Sequence, residues 1–243
     1  MSKITIEKLH EVTLPPEKKK SVKIDFVSYY LWRPICDRIS IWLMPTNITP
    51  TAVTVFSFWS SILSLLFFIL LPNKFGALLG YLAIWLWNIA DGIDGNIARY
   101  KRLFSKSGDL WDATAGYMAM VAFYLGSGIV ASNEKSILLD NLIDSKYYIL
   151  MGAISAICTI FPRLIVQKKN VVYDDAAVKK LKNKATYTFS RIILLNITSI
   201  NGLAGILLLI SILFNIVNLF TICYLLVQLM FFTASMITVM KDL

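Results

Sequence analysis

Three aspartates stand where an apolar helix would meet water: Asp91, Asp94 and Asp112, within the stretch DGIDGNIARYKRLFSKSGDLWDATAG. At about 3.6 residues per turn, Asp91, Asp94 and Ala98 fall on one helical face, with Gly95 beside them. On the next helix Gly108, Asp112 and Gly116 are spaced four apart and also share a face. A short link lets the two faces oppose each other, so the three carboxylates converge on one cleft. Unaccompanied, three such anions repel one another. Bound Mg2+ or Mn2+ removes the conflict, because hard divalent cations take oxygen ligands and in turn hold phosphates. Gly95 and Ala98 lack bulk, which leaves room for a flat base or a sugar against the backbone. Arg99 can pair with a phosphate or with one of the carboxylates. Interfacial Asp–Arg pairing explains any one of these residues, but not their joint spacing.

The elements that must position these residues are apolar helices. The chain has 243 residues, 57% of them hydrophobic and 16% charged, with a mean hydropathy of +0.65. A soluble domain carries about a quarter charged residues. Residues 39–73, 75–90, 113–133, 147–162 and 192–240 contain no Asp, Glu, Lys or Arg. A span needs roughly 20 mostly apolar residues, so the last block holds two, divided near Asn215 and Asn218. The reading is an all-α integral membrane protein with six spans, near 52–72, 76–98, 110–132, 147–167, 190–214 and 218–239. The fifth is expected as one continuous helix. An interfacial amphipathic helix over 24–46 precedes them, its Phe26, Tyr29, Tyr30, Trp32 and Trp42 suited to the headgroup level. Residues 1–23 form a charged tail, expected to be partly disordered on the membrane surface, and 47–243 the membrane domain.

Lys and Arg set the orientation. Eight precede the first span, four lie in 99–108, eight in 163–191 and one at the C-terminus, against single lysines at 74, 135 and 146. With six spans, both termini and the acidic motif face the cytosol. The net charge of +9 then reflects topology and attraction to anionic lipid, and no nucleic-acid partner is expected. The N-terminus lacks the apolar core of a cleaved signal peptide. Cys36, Cys158 and Cys223 fit no metal spacing and read as packing residues, while the one histidine, His10, lies in the tail. Thr46-Asn47-Ile48-Thr49-Pro50-Thr51 is a turn cluster before the first span, whose hydroxyls can cap that helix and whose Pro50 suits its first turn. Residues 170–189 are the longest polar interruption, expected as a loop or a short amphipathic helix. Asn196 and Asn201 read as interhelical hydrogen-bonding residues. Arg163 has two readings, a snorkelling anchor or a cation recognising an anionic acceptor group.

The acidic stretch resembles the signature of the CDP-alcohol phosphotransferase (CDP-alcohol phosphatidyltransferase) family: D-x2-D-G-x2-A-R, eight or nine residues, then G-x3-D-x3-D. Asp91, Asp94, Gly95, Ala98, Arg99, Gly108 and Asp112 match it. The six-span plan, the interfacial helix and the run Thr49-Pro50-Thr51-Ala52-Val53-Thr54 are similar as well. The resemblance implies that an acceptor hydroxyl attacks the phosphorus of a CDP-linked donor remote from cytidine, and that CMP leaves. It also implies two metal ions, Mg2+ or Mn2+, on Asp91, Asp94 and Asp112. Asp94, Gly95, Ala98, Arg99 and Gly108 would then line the nucleotide site. The donor expected is CDP-diacylglycerol, in phospholipid biosynthesis, with a soluble CDP-choline or CDP-polyol as the alternative. Membrane lipid is a partner, and a homodimer stays open.

One departure bears on mechanism. The last Asp of the signature, which resembles a metal ligand and general base, is Gly116 here. Either the acceptor's own anion or a water fills the gap, or Asp109 substitutes, or the protein is a weak or inactive homologue that binds CDP-alcohol and metal. Asp109 shares nearly the same face but lies about 10 Å away along the axis, which argues against direct substitution. An active transferase is the expectation, with Asp112 as its central catalytic residue. A transporter is disfavoured, because the acids cluster at one interface and no broken-helix pair is expected mid-membrane.

Overall fold

The computed structural model describes residues 4–134, 143–172 and 189–241. Most of the polar interruption expected at 170–189 therefore lies outside the described residues. Two short helices, α1 (Ile6–Thr13) and α2 (Pro16–Lys23), open the chain. A π-helical turn, Ser28–Trp32, then runs into α3 (Arg33–Leu43). Pro34 in the first turn of α3 has no N–H to give and its ring crowds the preceding turn. The wider π turn accommodates it, with the Arg33 N–H donating to the Ser28 carbonyl.

Three of the long helices begin at a side-chain cap. Thr49 Oγ1 accepts from the Ala52 N–H at the start of α4 (Pro50–Leu70), with Pro50 in its first turn as expected. Asn73 caps α5 (Lys74–Lys101), and Ser105 caps α6 (Lys106–Asn133). α7 (Ser145–Val172) follows, then α8 (Phe189–Thr198), a π-helical turn Ile200–Ala204, α9 (Gly205–Phe214) and α10 (Val217–Lys241). Among the described residues five helices are long and apolar enough to cross a membrane, or six with the bent pair Ile192–Thr198 and Ile200–Phe214 taken as one span. The protein is all-α, with the helices of a multi-pass membrane protein.

Two expectations are corrected. The fifth span is broken at Ser199, where the backbone turns extended, and its halves are bent by 49°. A break inside a membrane leaves carbonyls without helical donors, which is costly in an apolar medium. Tyrosines from three other helices supply donors. The Tyr224 hydroxyl bonds Ile197 O at 3.0 Å, Tyr124 bonds Thr198 O at 3.2 Å, and Tyr81 bonds Gly205 O at 2.8 Å. The tail is likewise not disordered over Ile6–Thr13. α1 is a docked helix with Leu9 fully buried, and His10 Nε2 lies 2.7 Å from Asp37 Oδ2 on α3.

The chain order of α4, α5 and α6 is not their packing order. α4 lies along both α5 and α6, which touch each other little. The Phe68 ring on α4 fills the places where side chains at Gly80 of α5 and Gly126 of α6 would stand, so both helices must be bare there. The main core lies among α5, α6, α7, α9 and α10, around Tyr81, Phe123, Tyr124, Leu208 and Phe220.

The interfacial segment is fastened at two points. Asn196 of α8 grips its backbone, donating to Ile24 O at 2.8 Å and accepting from the Phe26 N–H at 3.1 Å. Asn96 of α5 donates to Asp37 Oδ1 at 2.9 Å and to Ser40 Oγ at 3.1 Å on α3.

Candidate active site

α5 carries Asp91 and Asp94 about ten residues before its end, and α6 carries Asp112 in its second turn, so one end of the bundle holds all three. The reversal between the helices is tight. Arg102 takes a left-handed conformation (φ 56°), and the Leu103 N–H returns to Ala98 O at 3.0 Å. That closure is usually made by glycine. Lys101 Nζ donates to the Thr46 and Ile48 carbonyls, tying the turn to the chain before α4.

The Asp91 and Asp112 carboxyls lie close enough across the α5–α6 cleft to interact. Asp94 lies close enough to both for their charges to interact. It is 7% exposed, and its Oδ2 accepts a 2.5 Å hydrogen bond from Thr54 Oγ1 on α4. The Arg99 guanidinium folds back over Gly95, 3.2 Å from the place a Cβ would take there, and its charge reaches all three aspartates. A side chain at Gly95 would displace it. Gly108 starts α6 against Ser105 and Thr51, which brings the beginning of α4 to the same place. Asp109 is exposed in the first turn of α6, beside Asp112 rather than near Gly116. At Gly116 an added Cβ would meet nothing within 4 Å. Arg163 lies on α7, its Nη1 3.1 Å from Met120 Sδ on α6.

Among the described residues, no three His, Cys, Asp or Glu side chains are close enough together to hold a metal ion as a group. The donor chemistry nevertheless fits a hard cation. Asp91 and Asp112 are two carboxyls on opposite sides of one cleft, and no Lys or Arg among the described residues lies within 4 Å of either. Oxygen donors in that state suit a divalent ion better than each other.

Sequence reasoning assigned nothing to three residues that the fold brings to the site. Thr54 holds Asp94, and the hydroxyl at the end of the TPTAVT run was the available signal. Asn96 holds Asp37, which has no sequence signal at a separation of 59 residues. Arg33 of α3 lies near enough to Asp37 and Arg99 for their charges to interact. Burial lowers its pKa from the ordinary value, Asp37 opposes that, and Arg99 adds to it. A guanidinium nonetheless stays cationic at any working pH. The interfacial helix therefore adds a second cation to the rim.

A family model described as CDP-alcohol phosphatidyltransferase matches residues 47–217, from just before α4 to the start of α10. No curated protein matches the chain.

Proposed function

The chain belongs to the CDP-alcohol phosphatidyltransferase family, whose members transfer a phosphate-linked group from a CDP-alcohol to an acceptor alcohol with release of CMP. On that premise we propose that this protein is an active membrane transferase of phospholipid biosynthesis that takes CDP-diacylglycerol as donor. The observation that carries the reading is the placement of Asp91 and Asp112 across the α5–α6 cleft beside Asp94, with no Lys or Arg among the described residues within 4 Å of their carboxyls. Those three residues would hold the metal, Mg2+ or Mn2+ and two ions by the family resemblance. When bound, such ions clamp the attacking and leaving oxygens of a phosphoryl transfer.

The chain's own groups do the rest. Thr54 fixes the Asp94 carboxylate. Gly95, Ala98 and Gly108 leave backbone bare for the cytidine and its ribose, and Arg99 and Arg33 offer cations to the pyrophosphate. Exposed Leu103, Phe104 and Leu110 at the same end favour a donor with acyl chains over a soluble one. The Lys and Arg distribution supports a cytosolic position for this end and both termini.

Gly116 supports a second reading, a homologue that binds CDP-alcohol and metal without turnover. The two are separated by offering the purified protein CDP-diacylglycerol, CDP-choline and a CDP-polyol with Mg2+ or Mn2+ and measuring CMP. The transferase requires metal-dependent CMP from CDP-diacylglycerol, reduced on the order of a thousandfold by Asp91→Asn or Asp112→Asn. Nucleotide binding without CMP establishes the binder. Full activity in either variant would falsify the metal assignment.

A further inference from the structure

We infer that His10 of α1 is a positioning residue for the CDP-linked donor: by holding Asp37 it keeps the Arg33 guanidinium unpaired and open to the donor's phosphates. The inference rests on the transferase reading and deepens it to what sets the affinity for the donor.

Arg33 and Asp37 stand four residues apart on α3, the spacing at which opposite charges on a helix ordinarily pair. Their charges interact, yet among the described residues no carboxylate, Asp37 included, lies within 4 Å of the Arg33 guanidinium. The reason lies at Asp37, which is 2% exposed. Its Oδ2 lies 2.7 Å from His10 Nε2, and a carboxylate oxygen only accepts, so that nitrogen carries the hydrogen. Its Oδ1 accepts from Asn96 Nδ2 at 2.9 Å, and Asn96 is held in turn by Ser40. A guanidinium takes both oxygens of a carboxylate at once, and each of these already has a donor. His10 stays in place because α1 is docked on α3 and α5, with Leu9 fully buried.

Arg33 is thereby left in a state that an anion relieves. It is half-buried, its Nε is enclosed without a hydrogen-bond partner, and the like charge of Arg99 is close enough to act on it. Enclosed donors and cations are costly until they are matched. The place also suits the donor. One turn along α3, Cys36 packs against Gly92, and the Asp91 charge reaches its thiol. An anion between Arg33 and Arg99 therefore sits beside the acidic motif, where the transferase reading puts the donor's phosphates. Without His10, Asp37 Oδ2 loses its donor, and the Arg33 guanidinium one turn away closes on it. Arg33 is then lost to the donor. α1 and α3 both precede residues 47–217, which the family model matches, so this control of donor affinity lies outside the matched residues.

The test uses the full-length purified protein in detergent, measuring the Kd of CDP-diacylglycerol with Mg2+ and, alongside it, CMP release. His10→Ala is expected to weaken donor binding about tenfold, as the loss of one charge-assisted contact does. His10→Gln, whose amide can still donate to Asp37, should restore most of that affinity. Arg33→Gln should weaken binding as much. Adding His10→Ala to it should change Kd less than about twofold, because the two act through one contact. Asp37→Asn should rescue His10→Ala, since a neutral amide does not capture a guanidinium; a merely structural α1 would make that double variant worse. Parent-like affinity in His10→Ala, or a double variant with Asp37→Asn weaker than His10→Ala alone, overturns the inference and leaves the transferase standing. So does parent-like affinity in Arg33→Gln, which keeps the α1 contact and decides the matter if His10→Ala aggregates. A parent that neither binds CDP-diacylglycerol nor releases CMP overturns both.

Discussion

Thr54 and Asp94 are 40 residues apart and on different helices, yet the threonine hydroxyl donates to the carboxylate at 2.5 Å in a buried place. The bond joins α4, which packs along both motif helices, to the one aspartate of the three that is almost wholly enclosed. The site is therefore aligned from a helix that contributes no member of the acidic motif.

Replacing Thr54 by Val keeps the shape and removes the donor. A buried acceptor left unmatched costs about 1–3 kcal/mol, so turnover measured as CMP release should fall about tenfold. Thr54→Ser keeps the hydroxyl and should retain most of the rate. A full rate in Thr54→Val beside a loss in Thr54→Ser would mean that the threonine acts through its methyl packing instead.

Much of this arrangement was legible in the sequence, for a physical reason. Asp91, Asp94, Gly108 and Asp112 lie within one helix–turn–helix, where helical periodicity alone fixes which residues share a face. The turn cluster at 46–51 is equally local, and one of its hydroxyls, that of Thr49, forms the cap. What could not be read depends on partners far along the chain. Leu9 is buried and His10 meets Asp37 because α1 folds back 27 residues, against the charge pattern of its surroundings. Asn196 was expected to bond across helices, but nothing local names Ile24 and Phe26 as its partners. The break at Ser199 sits in an unbroken apolar run, and the tyrosines that make it tolerable come from α5, α6 and α10.

That break gives a stability prediction. Tyr124 gives its proton to Thr198 O and receives Gln228 Nε2 at 2.6 Å, so Tyr124→Phe leaves a carbonyl and an amide unmatched inside the bundle. A loss of about 1–3 kcal/mol is expected, read as a lower midpoint in heating followed by detergent gel filtration. Gln228→Leu should be milder, because it removes the amide and leaves Tyr124 its carbonyl. If Tyr124→Phe melts like the parent, the bent span is held by packing alone.

The wedge formed by Phe68 makes a second claim about packing. A side chain at Gly126 would collide with its ring, and so would one at Gly80. Gly126→Val should destabilise by about 1–3 kcal/mol, as overpacking does. Phe68→Ala in the same chain should recover part of that loss by making room. The double variant tests the contact directly: independent, additive losses would show that the two residues do not meet.

Cys36 provides the prediction that depends on pH. It is buried on α3 against Gly92, and burial, with Asp37 and Asp91 adding, pushes its thiol from an ordinary 9.0 up to about 12; Arg33 opposes this. A thiol with a raised folded pKa contributes fully below the unfolded value, and that contribution is lost as pH rises from 9 toward 12, because the unfolded chain gives up its proton first. Only the thiolate reacts with iodoacetamide. Cys36 should therefore remain unmodified at pH 8 and at pH 10 in the folded protein, and react at both once the protein is denatured. Cys36→Ala should flatten the fall in melting temperature between pH 9 and pH 11. Rapid labelling of Cys36 in the folded protein at pH 8, located by mass spectrometry, would show that α3 is not seated on α5, and with it the rim that carries Arg33 would be lost from the site.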